Sequence, residues 1–250
     1  MATTSIAVAD TELVRVALAR ADDALILGHR LSEWTGHAPM LEEELALANI
    51  ALDLIGQARA LYELAGAQAG FDEDQLAFLR DERGYRNLLL VEQPNGDFAT
   101  TIVRQLLFSA FIDPYWRAMV ASAEPGLAAI AAKAEKESAY HLRHSAEWLI
   151  RLGDGTEESH ARAQDAVDRL WGFTGELFEP VTDAVFETDL ADIRRGWQAV
   201  IAGIFDAATL RAPEKIWMQR GGRAGRHSEH LGHLLAEMQY LPRVHPGARW

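Results

Sequence analysis

Apolar positions along this chain recur at helical spacing, and strand-like alternation is almost absent. Leu13, Ala17, Ala21, Ala24, Gly28 and Leu31 fall on one stripe, which predicts a helix from a cap at Asp10 or Thr11 to about Trp34. His37-Ala-Pro39 interrupts it, and Pro39 suits the opening turn of a second helix reaching about Ala69. Leu45, Leu47, Ile50, Leu52, Leu54 and Ile55 make that helix apolar nearly all round, so it is expected at the centre of a bundle. A short helix over about Asp74 to Arg83 leads to the turn Gln93-Pro-Asn-Gly96. Long helices then follow over about Asp97–Ser122 and Pro125–Leu152, the first with a kink expected between Ala110 and Pro114. Further helices are predicted from Thr156 to about Phe178, over Asp189–Arg211 and over Ser228–Tyr240. The expectation is an all-α, ferritin-like four-helix bundle core with additional C-terminal helices, forming one domain over residues 1–250 with residues 1–10 flexible.

Composition narrows the chemistry. The chain has no Cys, which excludes disulfides, thiolate metal sites and Cys nucleophiles. A net charge of −13 argues against nucleic acid and anionic membranes as partners. The apolar run Ala199 to Phe205 is far short of the ~20 residues that span a bilayer. The first ten residues lack a basic region and a long apolar core, so no signal peptide is read there and a cytoplasmic protein is expected.

A four-helix bundle that binds two irons needs two Glu-x-x-His pairs plus a Glu from each of two further helices. Only Glu157 stands three residues before a His, His160, and it has no second copy. Asp53 on the second helix is followed three residues later by Gly56, and Glu137 on the long helix after Pro125 by Tyr140. His141 and His144 share a stripe with Glu137, while Lys133 and Lys136 bring ammonium groups within a turn of it. Asp53, Gln105, Lys133, Glu137 and His141 therefore read as a hydrogen-bonded ionic network at the position a metal pair would take, with no metal held and no catalytic residue in this chain. Two other readings stay open: iron on the unusual ligands Asp53, Glu137, His141 and His144, or zinc on His227, His230 and His233 with Glu237 nearby. Arg80, Arg83 and Arg86 cluster in an otherwise acidic chain, either paired with Asp81 and Glu82 or forming a phosphate site.

Long segments carry a resemblance. Arg30-Leu-Ser-Glu-Trp-Thr-Gly-His-Ala-Pro39, Leu45-Ala-Leu-Ala-Asn-Ile-Ala-Leu-Asp-Leu54 and Asn87-Leu-Leu-Leu-Val-Glu-Gln-Pro-Asn-Gly96 resemble the C-subunit family of bacterial phenylacetyl-CoA 1,2-epoxidases. So do Tyr140-His-Leu-Arg-His144, Arg151-Leu-Gly-Asp-Gly-Thr156, the run from Glu229 to Gln239, and the closing Pro246-Gly-Ala-Arg-Trp250. The resemblance implies a ferritin-like, non-catalytic subunit of a multicomponent monooxygenase. Its di-iron cofactor would sit in a partner A subunit, and a separate reductase would supply electrons. It also gives the arginine stretch a candidate ligand: Arg83, Gly84, Tyr85, Arg86 and Asn87 would touch the CoA of the substrate, phenylacetyl-CoA.

Overall fold

Local capping chemistry sets most helix starts in the computed structural model, which describes residues 5–182 and 188–248. The Thr11 side chain accepts from the Val14 amide and opens α1 (Glu12–Ser32). Three acidic residues crowd the first turn of α2 (Leu41–Ala69), where the helix dipole favours them, and Gly70 closes it in the left-handed conformation. A capping box on Asp72 and Gln75 starts α3 (Glu73–Phe78), and a 3₁₀ turn at Glu82–Gly84 leads to the short α4 (Leu89–Glu92). Asp97 caps α5 (Phe98–Met119), which runs unbroken through Pro114: the ring removes one backbone donor without ending the helix. α6 (Pro125–Gly153) takes Pro125 into its first turn. Thr156 caps α7 (Glu157–Leu170), and two 3₁₀ turns extend the path to Phe178. α8 (Leu190–Ala207), α9 (Glu229–Met238) and α10 (Tyr240–Val244) complete the chain. No strand occurs among the described residues.

Four helices make the bundle. α1 lies along α2, α5 along α6, and α2 meets α6, while α7 and α8 pack against α5. One continuous core draws on residues from Val14 in α1 to Leu235 in α9. The central positions fall to α1 and α5, which are buried at almost every residue. This corrects the expectation that α2 is central. Leu47, Ile50, Leu54 and Leu61 of α2 face the core, but Leu41, Leu45 and Leu52 point away from it. An all-round apolar circumference does not distinguish a central helix from one that is covered on a single side. The two helices approach closely at Gly28, where a side chain would press on the Ala51 carbonyl oxygen and Ile55.

The N-terminal strip is also tied down where it is described. The Ile6 amide bonds the Leu79 carbonyl, Ser5 accepts from the Asp81 amide, and Ile6 and Val8 pack on the core. Residues 5–8 thus make contacts within the stretch expected to be flexible, and residues 1–4 lie outside the described residues. Arg249 and Trp250 of the closing motif also lie outside them. The helix expected over Asp74–Arg83 stops at Phe78, because the Arg80 side chain turns inward and its guanidinium is claimed by α1. No helix is long and apolar enough to cross a membrane among the described residues.

Candidate functional site

The antiparallel contact of α2 with α6 gathers the polar residues expected at a metal position. His141 Nε2 lies 3.1 Å from Asp53 Oδ2. Gln57 Nε2 donates to Glu137 Oε2 at 2.9 Å, and Lys133 Nζ stands 3.2 Å from the other oxygen of Glu137. One turn on along α6, and about three turns back along α2, His144 Nε2 is 2.9 Å from Glu43 Oε2. The pairs form a ladder along the seam, from Glu43 and His144 at one end to Gln57 and Glu137 at the other. Four of the five residues expected in the network join it. Gln105 does not: its amide donates to Ser109 within α5. Gln57, Glu43 and His144 take part instead, and period reasoning on α2 could have found Gln57, which is three and four residues from the buried Leu54 and Leu61.

The ladder sits at the rim of the bundle. His141 is buried, whereas Asp53 is 36% exposed and the Lys133 side chain 72%. With the ammonium in water, the Lys133–Glu137 pair contributes on the order of 1 kcal/mol or less. The donor set does not fit a di-iron centre. Such a centre draws four carboxylates and two imidazoles from the four helices, and here Gly56 and Tyr140 hold the two histidine positions. A Cβ built on Gly56 would lie 3.9 Å from Lys133 Nζ. The side chain of a ligand at that position would thus project toward an existing positive charge. No group of three or more His, Asp or Glu side chains is placed to hold a metal ion among the described residues.

The C-terminal histidines do not converge either. His227 precedes Ser228, the N-terminal residue bounding α9, so it does not share a helical face with His230 and His233. Its Nδ1 lies 2.9 Å from Glu92 and its Nε2 3.1 Å from the Tyr85 carbonyl, which leaves neither nitrogen for zinc. Burial disfavours the charged imidazole, but the hydrogen bond and charge of Glu92, then the Tyr85 carbonyl, outweigh it and hold its pKa above the ordinary 6.5.

His227 belongs to a buried polar knot that sequence reasoning missed. Asp22 of α1 accepts from Arg80 Nη1 at 3.0 Å, from the Tyr62 hydroxyl at 2.6 Å and from the Arg86 amide at 2.7 Å. Burial and then the Asp22 charge push the Tyr62 hydroxyl well above its usual pKa, so it stays protonated and donates. Asp23 binds Arg223 through both oxygens and accepts from the Leu88 amide. Glu176 receives the Leu89, Gly221 and Arg223 amides, and Glu92 receives Asn87, His227 and the Ser228 amide. Two acids amid the apolar residues of α1, in Ala21-Asp22-Asp23-Ala24, were the sign to read. A buried carboxylate needs such partners: Asp22 and Asp23 hold Arg80, Arg86, Leu88 and Arg223 to α1, and Glu92 and Glu176 tie the segments around 87–92 and 221–228 to each other.

The knot decides which members of the arginine stretch reach solvent. Arg80 is buried and spent on Asp22, so it is not available to a ligand. Tyr85 and Asn87 are fully buried, with the Tyr85 hydroxyl bonded to the Ala77 carbonyl and Asn87 to Glu92. The Gly84 amide is taken by Asp81. Arg83 is exposed, and Arg86 lines a cleft of about 500 Å³ that Arg15, Arg220 and Arg226 also border. Asp10 and Glu179 pair with Arg15 and Arg220 there, leaving the guanidinium groups of Arg86 and Arg226 without a carboxylate partner among the described residues.

Comparison with known proteins adds two findings. The family described as phenylacetic acid catabolic protein matches residues 1–250. The chain is also similar to the C subunit of the 1,2-phenylacetyl-CoA epoxidase of Escherichia coli (strain K12), at 48% identity over 246 residues, covering 96% of this chain and 99% of that one.

Proposed function

The chain belongs to the phenylacetic acid catabolic protein family, and on that premise we propose that it is the non-catalytic, structural subunit of a phenylacetyl-CoA 1,2-epoxidase. Its partner is the A subunit, which carries the di-iron centre that activates O2, with electrons arriving from a separate reductase. This chain's part is mechanical: a rigid helical wall that positions the partner's helices and keeps water from the neighbouring site.

One observation carries the non-catalytic reading: the Lys133 ammonium beside Gly56, in a ladder where each carboxylate already has an ammonium, imidazole or amide partner. Oxygen activation needs a metal with open coordination positions, and this arrangement offers neither the ligand count nor an uncharged space. The isolated chain, given phenylacetyl-CoA, iron, O2 and electrons, is therefore expected to form no epoxide, and adding the A subunit is expected to start turnover. Epoxide formed by the chain alone would refute the reading.

Contact with the CoA portion of the substrate falls to Arg83 and Arg86 in this proposal, since guanidinium groups match phosphate oxygens in geometry and charge. Arg83→Glu with Arg86→Glu is expected to weaken substrate binding by the assembled complex. Equal affinity of variant and parent at matched salt would remove CoA contact from the account.

A further inference from the structure

Large apolar side chains are exposed in three main places. Trp217 projects from the loop before α9, and Tyr240, Leu241 and Val244 lie on the terminal helix. The third place is different in kind because it belongs to the bundle itself. Leu41, Leu45 and Leu52 are 69%, 57% and 67% exposed, spaced four and seven residues apart on α2, so they form one stripe. Beside them runs α6. The pairing of Glu43 with His144 and of Gln57 with Glu137 sets the two helices antiparallel. The exposed positions of α6 along the seam include Lys133, Lys136, Tyr140 and Arg143, followed one turn later by Glu147, which faces Arg151 at 4.0 Å. Two of the chain's three lysines therefore flank a leucine stripe in a protein of net charge −13. Lys136 and Arg143 have no carboxylate partner among the described residues; the Arg143 guanidinium rests instead 5.5 Å from the Tyr140 ring centre.

We propose that this face of α2 and α6 is the surface that receives the A subunit, and that the partner meets it with a helical face that is apolar along its middle and acidic at its rim. The inference rests on the subunit role proposed above and goes beyond it by naming the surface and its complement. Charge selects the occupant. A second copy of this chain related by a two-fold axis would set its basic stripe against the leucines or against the same stripe, burying ammonium groups without carboxylates. An acidic rim answers both stripes at once. The half-exposed Asp53 and its ladder lie between the stripes, so docking would also finish burying them.

Leu45→Glu with Leu52→Glu changes exposed positions and leaves the core intact, so circular dichroism and Tm should match the parent. Binding to purified A subunit is measured by sedimentation at low and high salt, with Trp217→Glu and Leu241→Glu as controls on the other patches. The leucine variant is expected to raise Kd by about 100-fold or more, because it buries unpaired charge at the centre of the contact. Lys136→Glu with Arg143→Glu is expected to raise Kd roughly 10-fold at low salt, with the difference shrinking as salt rises. If the leucine variant binds like the parent while a control patch abolishes binding, this face is wrong although the pairing stands. If the parent does not bind the A subunit, the subunit role fails and the inference with it. Self-association of this chain that the leucine variant removes, without A-subunit binding, would assign the face to a second copy and overturn the proposal.

Discussion

Buried charge decides what individual residues can do here. Arg80 is the clearest case: near Arg83 and Arg86 in sequence it resembles part of a basic patch, yet its guanidinium is sealed against Asp22, Tyr62 and the Gly84 carbonyl. Arg80→Met would leave Asp22 buried without its cation, which typically costs about 3–5 kcal/mol. Urea unfolding should show that loss, and a variant of unchanged stability would mean that the knot is structurally idle. His227 gives a pH signature with a definite sign. Its pKa is raised in the folded state, so the pairing with Glu92 contributes fully below about 6.5 and fades as pH rises through the higher folded value. Stability measured from about pH 6 to about pH 9 should fall more steeply in the parent than in His227→Gln; identical slopes would show that the imidazole is neutral throughout. The sequence marks Asp22 and Asp23 as buried acids, but the partners were not legible, since Asp22–Arg80, Asp23–Arg223 and Glu92–His227 meet across separations that no local pattern encodes.

Helices, by contrast, announced themselves through caps. Thr11, Asp97, Thr156 and Asp189 each supply a side-chain oxygen to the first turn, and the helix starts read from them hold to within a residue or two, whereas the ends expected at Ser122, Phe178 and Arg211 fall at Met119, Leu170 and Ala207. The segments between α3 and α5 and between α8 and α9 resisted reading because their backbone amides are satisfied by distant carboxylates rather than by neighbours. The division of α2 into a buried and an exposed face was equally hidden, as leucine on either side gives the same pattern. One close approach tests the packing of elements directly. A Cβ on Gly153 would come 2.2 Å from the Ala208 carbonyl oxygen, so Gly153→Ala must push the end of α6 away from the end of α8. A destabilisation of about 1–3 kcal/mol is expected from that overpacking, and an unaltered Tm would show that the two ends are not in firm contact.

At the scale of the whole molecule, a bundle with its central helices buried at almost every residue leaves one flank of α2 and α6 open, with leucines, lysines and a half-covered ionic ladder along it. Along the ladder, Gly56 and Tyr140 stand at the two histidine positions of a di-iron bundle, and the Lys133 ammonium lies beside Gly56. In the proposed role the chain alone is a scaffold with an unfinished side, which the metal-bearing A subunit would complete. The most direct test is iron counted per polypeptide after the chain and the A subunit are expressed with excess iron, separately and together. About two irons per pair of the two chains, with essentially none on this chain alone, is the result expected. Two irons per copy of the isolated chain, lost on His141→Ala, would contradict it.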